Sequence, residues 1–369
     1  MHRTSLAFSH LFLAAVAVGA CGRDSGLVQA GPVISEIPSL ILQDSASRDL
    51  GPMLSLAVDG HDGVILTDVL RPAVLHFGPD GNLLGSYGRA GDGPGELRIA
   101  FAAVPFRDSL LAVIDHAHRV ASVFDQHSMK WVGQYALPEL PYSASNTESG
   151  LWLGALNHVE HTSVLWLSPS ASAFQSLGPI PGSLEAVPAL AGTFPYVAIV
   201  PVQDTLILGF QPLSTILIAT GGRTVDSLEI PKRLRRGTPS DLVGATASAT
   251  GLAEFAQHFS LLMGLYRLPN GQILALHIDP RPPDSSSTAS ARGRPVLFWS
   301  TKYVSVLAAD RRVACVDAAL PVPPQSPLTA TVIGDTLVIL EQVVSDTTVV
   351  TRLRRFRITT DHCAWRPVH

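Results

Sequence analysis

Apolar residues in this chain come in short runs, and Gly, Asp, Asn and Pro break those runs at regular spacing. Helical three-four periodicity is nearly absent, so the pattern predicts short strands joined by turns. One motif recurs, a turn residue followed by an apolar strand. It begins at Asp62 in "DGVILTD", Asp108 in "DSLLAVID" and Ser149 in "SGLWLGA", then at Asp204 in "DTLILGF", Asn270 in "NGQILAL" and Asp335 in "DTLVILE". The first two copies align beyond the anchor. "TDVLRPAVLHFGPDGNLLGSYG" lies over "IDHAHRVASVFDQHSMKWVGQY", with Phe77 over Phe124 and Asp68 over Asp115.

Each unit reads as four strands. In the first they are "MLSLAVD", "GVILTD", "AVLHFG" and "NLLGSYG", with "PDG" joining the last two. Glycine at that turn accepts the positive φ a tight hairpin demands. A repeated four-stranded unit of about 40–50 residues is a propeller blade. The expectation is therefore an all-β, six-bladed β-propeller with four-stranded antiparallel blades; a β-sandwich of similar strands is the competing architecture. The segment 36–44, "EIPSLILQD", is a strand with no anchor of its own. It is expected as the outermost strand of the last blade, where it would close the ring and remove an exposed edge. Two stretches break the repeat: 231–260, with a short helix expected from about Pro239, and 279–295, expected as a disordered or mobile insertion in blade five.

The first residues place one arginine before the apolar run Leu11 to Ala20. That run is too short to span a bilayer and has the layout of an export signal. Val18-Gly19-Ala20-Cys21 resembles the lipobox of bacterial lipoproteins. The resemblance implies that residues 1–20 are removed and that Cys21 carries a lipid. A plain secretory signal with an incidental cysteine is the alternative. Residues 21–35 read as a flexible tether, and 36–369 as one propeller domain. The expected location is the bacterial cell envelope, facing the periplasm or the outside. Removing residues 1–20 takes away Arg3 and no acid, so the formal charge goes from −4 to −5. With 15% charged residues and no basic face, nucleic acid is excluded as a partner. Cys315 and Cys363 remain in a compartment that permits a disulfide. Equivalent positions on the outer strands of blades five and six would lie too far apart for one. A shifted C-terminal strand would bring them together, and both outcomes stay open.

The stretch "GRAGDGPGEL", 88–97, sits between the outer strand of blade one and the start of blade two. Gly88, Gly91, Gly93, Pro94, Gly95, Glu96 and Leu97 resemble the connection found after the first blade in bacterial secreted and lipoprotein members of the six-bladed NHL or TolB-like propellers. The preceding "VLHFGPDGNLLGSYG" is similar to the blade ending of that group. The resemblance implies a propeller over most of 36–366, and no particular function, because such rings serve as binding modules, scaffolds and enzymes alike. The glycines themselves read as structural: a phosphate cradle needs a helix N-terminus after them, and "RIAFAAVPF" reads as a strand.

For chemistry, His116 and His118 in "DHAHR" would share a face if they lay on a strand, and His158, Glu160 and His161 form the matching hairpin of blade three. Approaching one another across neighbouring blades, these five compose a candidate centre for a divalent transition metal. Asp68 and Asp115, which end equivalent strands, with His116 and His118 at the channel mouth are the basis of a metal-dependent hydrolase or lyase reading. Exposed hairpin residues without a common centre are the competing account. The basic run Lys232, Arg233, Arg235 and Arg236 is the densest charge cluster, a candidate seat for an acidic partner or an ordinary solvated loop. The reading from sequence is a lipid-anchored, non-catalytic binding or scaffold module without cofactor or metal. Its partner would be an unidentified protein or small ligand on one face.

Overall fold

The computed structural model describes residues 31–43, 54–69, 71–107, 109–239, 241–242, 256–281, 299–326, 328–344 and 349–369. They form a six-bladed propeller. Blade one runs from its inner strand Leu54–Val58 through Val64–Asp68 and Arg71–Phe77 to Leu83–Tyr87 at the rim. Blade two is Ala100–Phe106, Leu110–Asp115, Val120–Asp125 and Trp131–Ala136; blade three is Ser143–Thr147, Gly150–Asn157, Thr162–Leu167 and Gln175–Pro179. Blade four follows with Val197–Val202, Thr205–Phe210, Thr215–Thr220 and Arg223–Glu229. Blade five comprises Leu261–Arg267, Ile273–Pro280, Ser300–Leu307 and Val313–Ala319, and blade six starts with Ala330–Ile333, Thr336–Val344 and Val349–Thr359. Every anchor run is the second strand of its blade; the anchor residue Asp108 itself lies outside the described residues.

The second strands read as unbroken apolar runs because both of their faces are buried. In blade six, Leu337 and Ile339 pack toward blade five, while Val338 and Leu340 pack toward blade one. Ile273 and Ala275 of blade five likewise face blade four, and Leu274 and Leu276 face blade six. The core is thus a ring of apolar layers between neighbouring sheets. Phe77 and Phe124, matched in the sequence alignment, both lie in these layers, at 0% and 1% exposure.

Blade six is completed by the N-terminal strand Val33–Ile41, which pairs antiparallel with Val349–Thr359 at the rim. It begins at Val33, inside the stretch read as tether from sequence. Arg354 fastens it by two hydrogen bonds of 2.8 Å to the Glu36 carboxylate. That guanidinium also holds the Glu36 carboxyl below its ordinary pKa. The other end of the chain leaves blade six and adds Arg366–Pro367 to the rim of blade five. Cys363 therefore sits in the turn between the two blades and not on an outer strand. That detour brings it to Cys315, and the two form a disulfide with Cα atoms 5.7 Å apart.

Two helices interrupt the all-strand pattern, Gly182–Glu185 and Pro188–Thr193, in the connection from blade three to blade four. Leu184, Leu190 and Ala191 are buried there. The helix expected from Pro239 falls mostly on residues outside the described set, as does most of the insertion expected over 279–295. The strand before that insertion runs on to Pro280.

Candidate functional site: the axial channel and its loop face

Each sheet stands with its inner strand toward the axis, so six strand edges surround a channel. The cavity they enclose measures about 900 Å³. Its walls differ by blade. Blade three contributes Tyr142, Ser143, Ser145, Asn146 and Thr147; blade two contributes Phe101, Ala102, Val104 and Pro105. Beside blade three stand Thr193, Tyr196 and Gln211. Blade five supplies mostly apolar groups, including Leu261, Met263 and Leu265, and there the cavity reaches past the inner strand to Leu276, Ile278 and Ser300. Burial pushes the Tyr196 phenol up to about 12, so it stays a neutral donor. Among the described lining residues the charged side chain is Arg267, at the end of blade five's inner strand.

One face of the disc carries the short hairpin turns. The other carries the longer connections, and the residues singled out from sequence lie there. Asp115 is fully buried at the end of its strand. Its carboxylate accepts backbone N–H bonds from Arg98 at 2.8 Å, Ile99 at 3.2 Å, Ala117 at 3.0 Å and His118 at 3.2 Å. It is the post on which the incoming connection and the turn after it are hung. Asp68, its counterpart in blade one, is also buried, at 2% exposure.

His116 and His118 lie in a turn and not on a strand, and their rings go to different places. His116 stacks on Phe101 with ring centroids 4.2 Å apart, bonds the Pro141 carbonyl at 2.6 Å, and meets Tyr142 edge-on. Burial lowers its pKa. His118 instead bridges two carboxylates at 2.9 Å each, Asp115 through Nδ1 and Asp92 through Nε2. The Asp92 contact chiefly raises its pKa. His161 pairs with Glu185 at 2.7 Å. The candidate convergence of blades two and three on a metal is not seen among the described residues. No cluster of three or more His, Cys, Asp or Glu side chains suited to a metal is present among the described residues.

Asp92 belongs to the glycine-rich connection, which closes on itself. Glu96 folds back to accept the Gly93 N–H at 2.8 Å and the Arg89 Nε–H at 2.9 Å. Gly91 has φ 150°, and a Cβ there would stand 1.9 Å from Glu96 Oε2. Arg98 and His118 grip Asp92 from the other side, and the Arg98 hydrogen bonds lead in holding its carboxyl down to about 2. The motif therefore needs both small residues and Glu96, because the acid occupies the space side chains would fill.

Within the basic run Lys232, Arg233 and Arg236 are exposed, while Arg235 is buried. Arg235 is buried and pairs with Asp317 at 3.0 Å. The same carboxylate accepts the backbone N–H groups of Arg233, Leu234 and Arg235. Arg236 reaches Asp279 at 3.5 Å and bonds the Gln257 and Pro280 carbonyls. These arginines clip the connection after blade four onto blade five, with Arg235 alone of the four buried.

The channel residues Tyr142, Ser145, Tyr196 and Gln211 were missed from sequence. A signal was present: "SASNT" is far more polar than the other inner strands, although nothing marks it as axial before the ring is built.

Among solved structures, a member of the DUF4221 family from Bacteroides vulgatus superposes with a TM-score of 0.62 at 11% identity, over 90% of this chain and 99% of that one. An exported protein of Bacteroides fragilis, so described provisionally, gives 0.55 at 11% identity, over 88% and 95%. An inactive variant of virginiamycin B lyase from Staphylococcus aureus, with quinupristin, gives 0.48 at 12% identity, over 87% and 99%. The first two likenesses, at such identity, establish a common fold alone. No protein-family model matches the chain, and no curated protein sequence does. The described residues hold no helix long and apolar enough to cross a membrane.

Proposed function

We propose that this protein is an exported, lipid-anchored binding module of NHL or TolB-like type, with its ligand seat in the axial channel. The observation that carries the reading is the cavity of about 900 Å³, framed by six rigid strand edges and walled by hydroxyl, amide, aromatic and aliphatic groups. Small-molecule sites are concave, mostly apolar and fitted with a few convergent polar groups, and this channel has that make-up. The anchor rests on the lipobox-like Val18 to Cys21.

A metal-dependent hydrolase or lyase built on Asp68, Asp115, His116 and His118 has no observation in its favour. Asp115 and His118 are engaged in holding the glycine-rich connection. His116 is stacked beneath the channel wall. Elemental analysis of protein purified without chelators tests the choice. We expect no stoichiometric metal; one metal per chain, lost in His116→Ala/His118→Ala, would overturn the binding-module reading. The anchor is tested by labelling cells with palmitate. Label should enter the chain and disappear with Cys21→Ser, whereas an unlabelled wild-type chain would remove the anchor from the account.

A further inference from the structure

The channel lining combines a hydroxyl-rich stretch with a mainly apolar one, and the combination specifies a ligand class. On blade three and the head of blade four, Tyr142, Ser145 and Tyr196 turn to the cavity with hydroxyls that bond no described residue. Two blades round the ring from blade three, blade five and its approach to blade six present Met263, Leu276, Ile278 and Leu328, with Ser300, Ser326 and Thr329 among them. The lining there passes the inner strand to the second strand of blade five, which carries Leu276 and Ile278. A hydroxyl-rich stretch and a mainly apolar recess thus share one lumen. Ionised groups are nearly missing from the described walls; Arg267 stands at the mouth on the hairpin face, away from both.

A ligand that satisfied both walls would need hydroxyl or amide groups along one edge and an aliphatic body along the other. A formal charge inside would go unpaired, and unpaired charge in an enclosed, partly apolar site is costly. A purely polar molecule would leave the recess filled with water that gains by leaving. We propose that the channel binds an uncharged amphiphile, its hydroxyl or amide edge on blade three and its aliphatic part in the recess between blades five and six. This rests on the channel being the seat of binding.

The probe is n-octyl β-D-glucopyranoside below its critical micelle concentration, measured by equilibrium dialysis. The protein is the chain from residue 21 onward carrying Cys21→Ser. D-glucose tests the polar part alone; n-octanoate and octyltrimethylammonium carry the same tail on charged heads. The glycoside should bind saturably at one per chain, both charged compounds at least tenfold more weakly, and glucose not measurably. Tyr142→Phe/Ser145→Ala should weaken the glycoside about tenfold, the loss expected for two hydrogen bonds. Its melting temperature should not change, because neither hydroxyl has a described partner to lose. Charged probes that bind as tightly as the glycoside, and are expelled by Ser145→Trp, would overturn the ligand class and leave the channel as the seat. Failure of every probe to bind, or binding indifferent to Ser145→Trp, would overturn both.

Discussion

Lys302 lies on the third strand of blade five with 1% of its surface exposed. Its ammonium donates to the carbonyls of Pro323 at 3.1 Å and Pro324 at 2.8 Å, and no carboxylate among the described residues bonds it. Burial pulls its pKa from the usual 10.5 down to about 8. The unfolded chain keeps this proton up to about pH 10.5, while the folded chain releases it near pH 8. Between those values the unfolded state binds more protons, so stability rises with pH. At ~1.4 kcal/mol per pH unit, the buried charge costs about 3 kcal/mol below pH 8. Lys302→Met removes that cost and gives up two hydrogen bonds worth ~1 kcal/mol each. The proline residues that supply those carbonyls are exposed, so water replaces the lysine there. We expect Lys302→Met to be more stable than wild type by ~1–3 kcal/mol at pH 7, with the gap closing by pH 10. Urea unfolding at pH 7, 8, 9 and 10, without reductant, measures it. Tyr87 and Tyr196, raised to about 12 by burial, lose stabilisation only as pH climbs above 10, and they do so in both proteins. A gap that stayed constant over this range, or a methionine variant less stable at pH 7, would refute the reasoning.

Other consequences can be measured separately. The Cys315–Cys363 bridge spans 48 residues, and loop-closure entropy assigns it about 4 kcal/mol; Cys315→Ala/Cys363→Ala should lose up to that amount in urea, and an unchanged midpoint would contradict the estimate. His118 should titrate by NMR above its ordinary 6.5, because Asp92 holds its proton; Asp92→Asn should bring the midpoint down, and an unmoved midpoint would show that Asp92 does not. Gly91→Ala must place a methyl group onto the Glu96 carboxylate at a φ of 150°; a loss of ~1–3 kcal/mol is expected, and a neutral result would separate the glycine from the loop's closure.

The number of blades and the role of the first strand were legible in the sequence because both follow from burial. A second strand buried on two faces must read as an apolar run, and the turn residue before it punctuates each copy. Residues 36–44, apolar but without an anchor, could only be a strand lent to another unit. The candidate site was less legible. His116 and His118 share a pentapeptide, yet the turn's geometry sends one ring to Phe101 and the other to Asp92. Arg235 looks like surface charge until Asp317, 82 residues later, is found beneath it. Such pairings depend on which blades become neighbours, and local pattern carries no record of that. The helices at Gly182–Glu185 and Pro188–Thr193 are too short for periodicity to register.

The strand that seals the ring has a consequence for biosynthesis. Glu36 is made early, but its partner Arg354 lies 318 positions downstream. Until translation is nearly complete, the strand that will close blade six has no sheet to join. A chain cut short anywhere before Val349–Thr359 keeps that strand unmatched, however well its earlier blades have formed. The first blade strand to be made thus acts as a check on the last. A truncated product carries an exposed, protease-accessible end that a finished molecule hides.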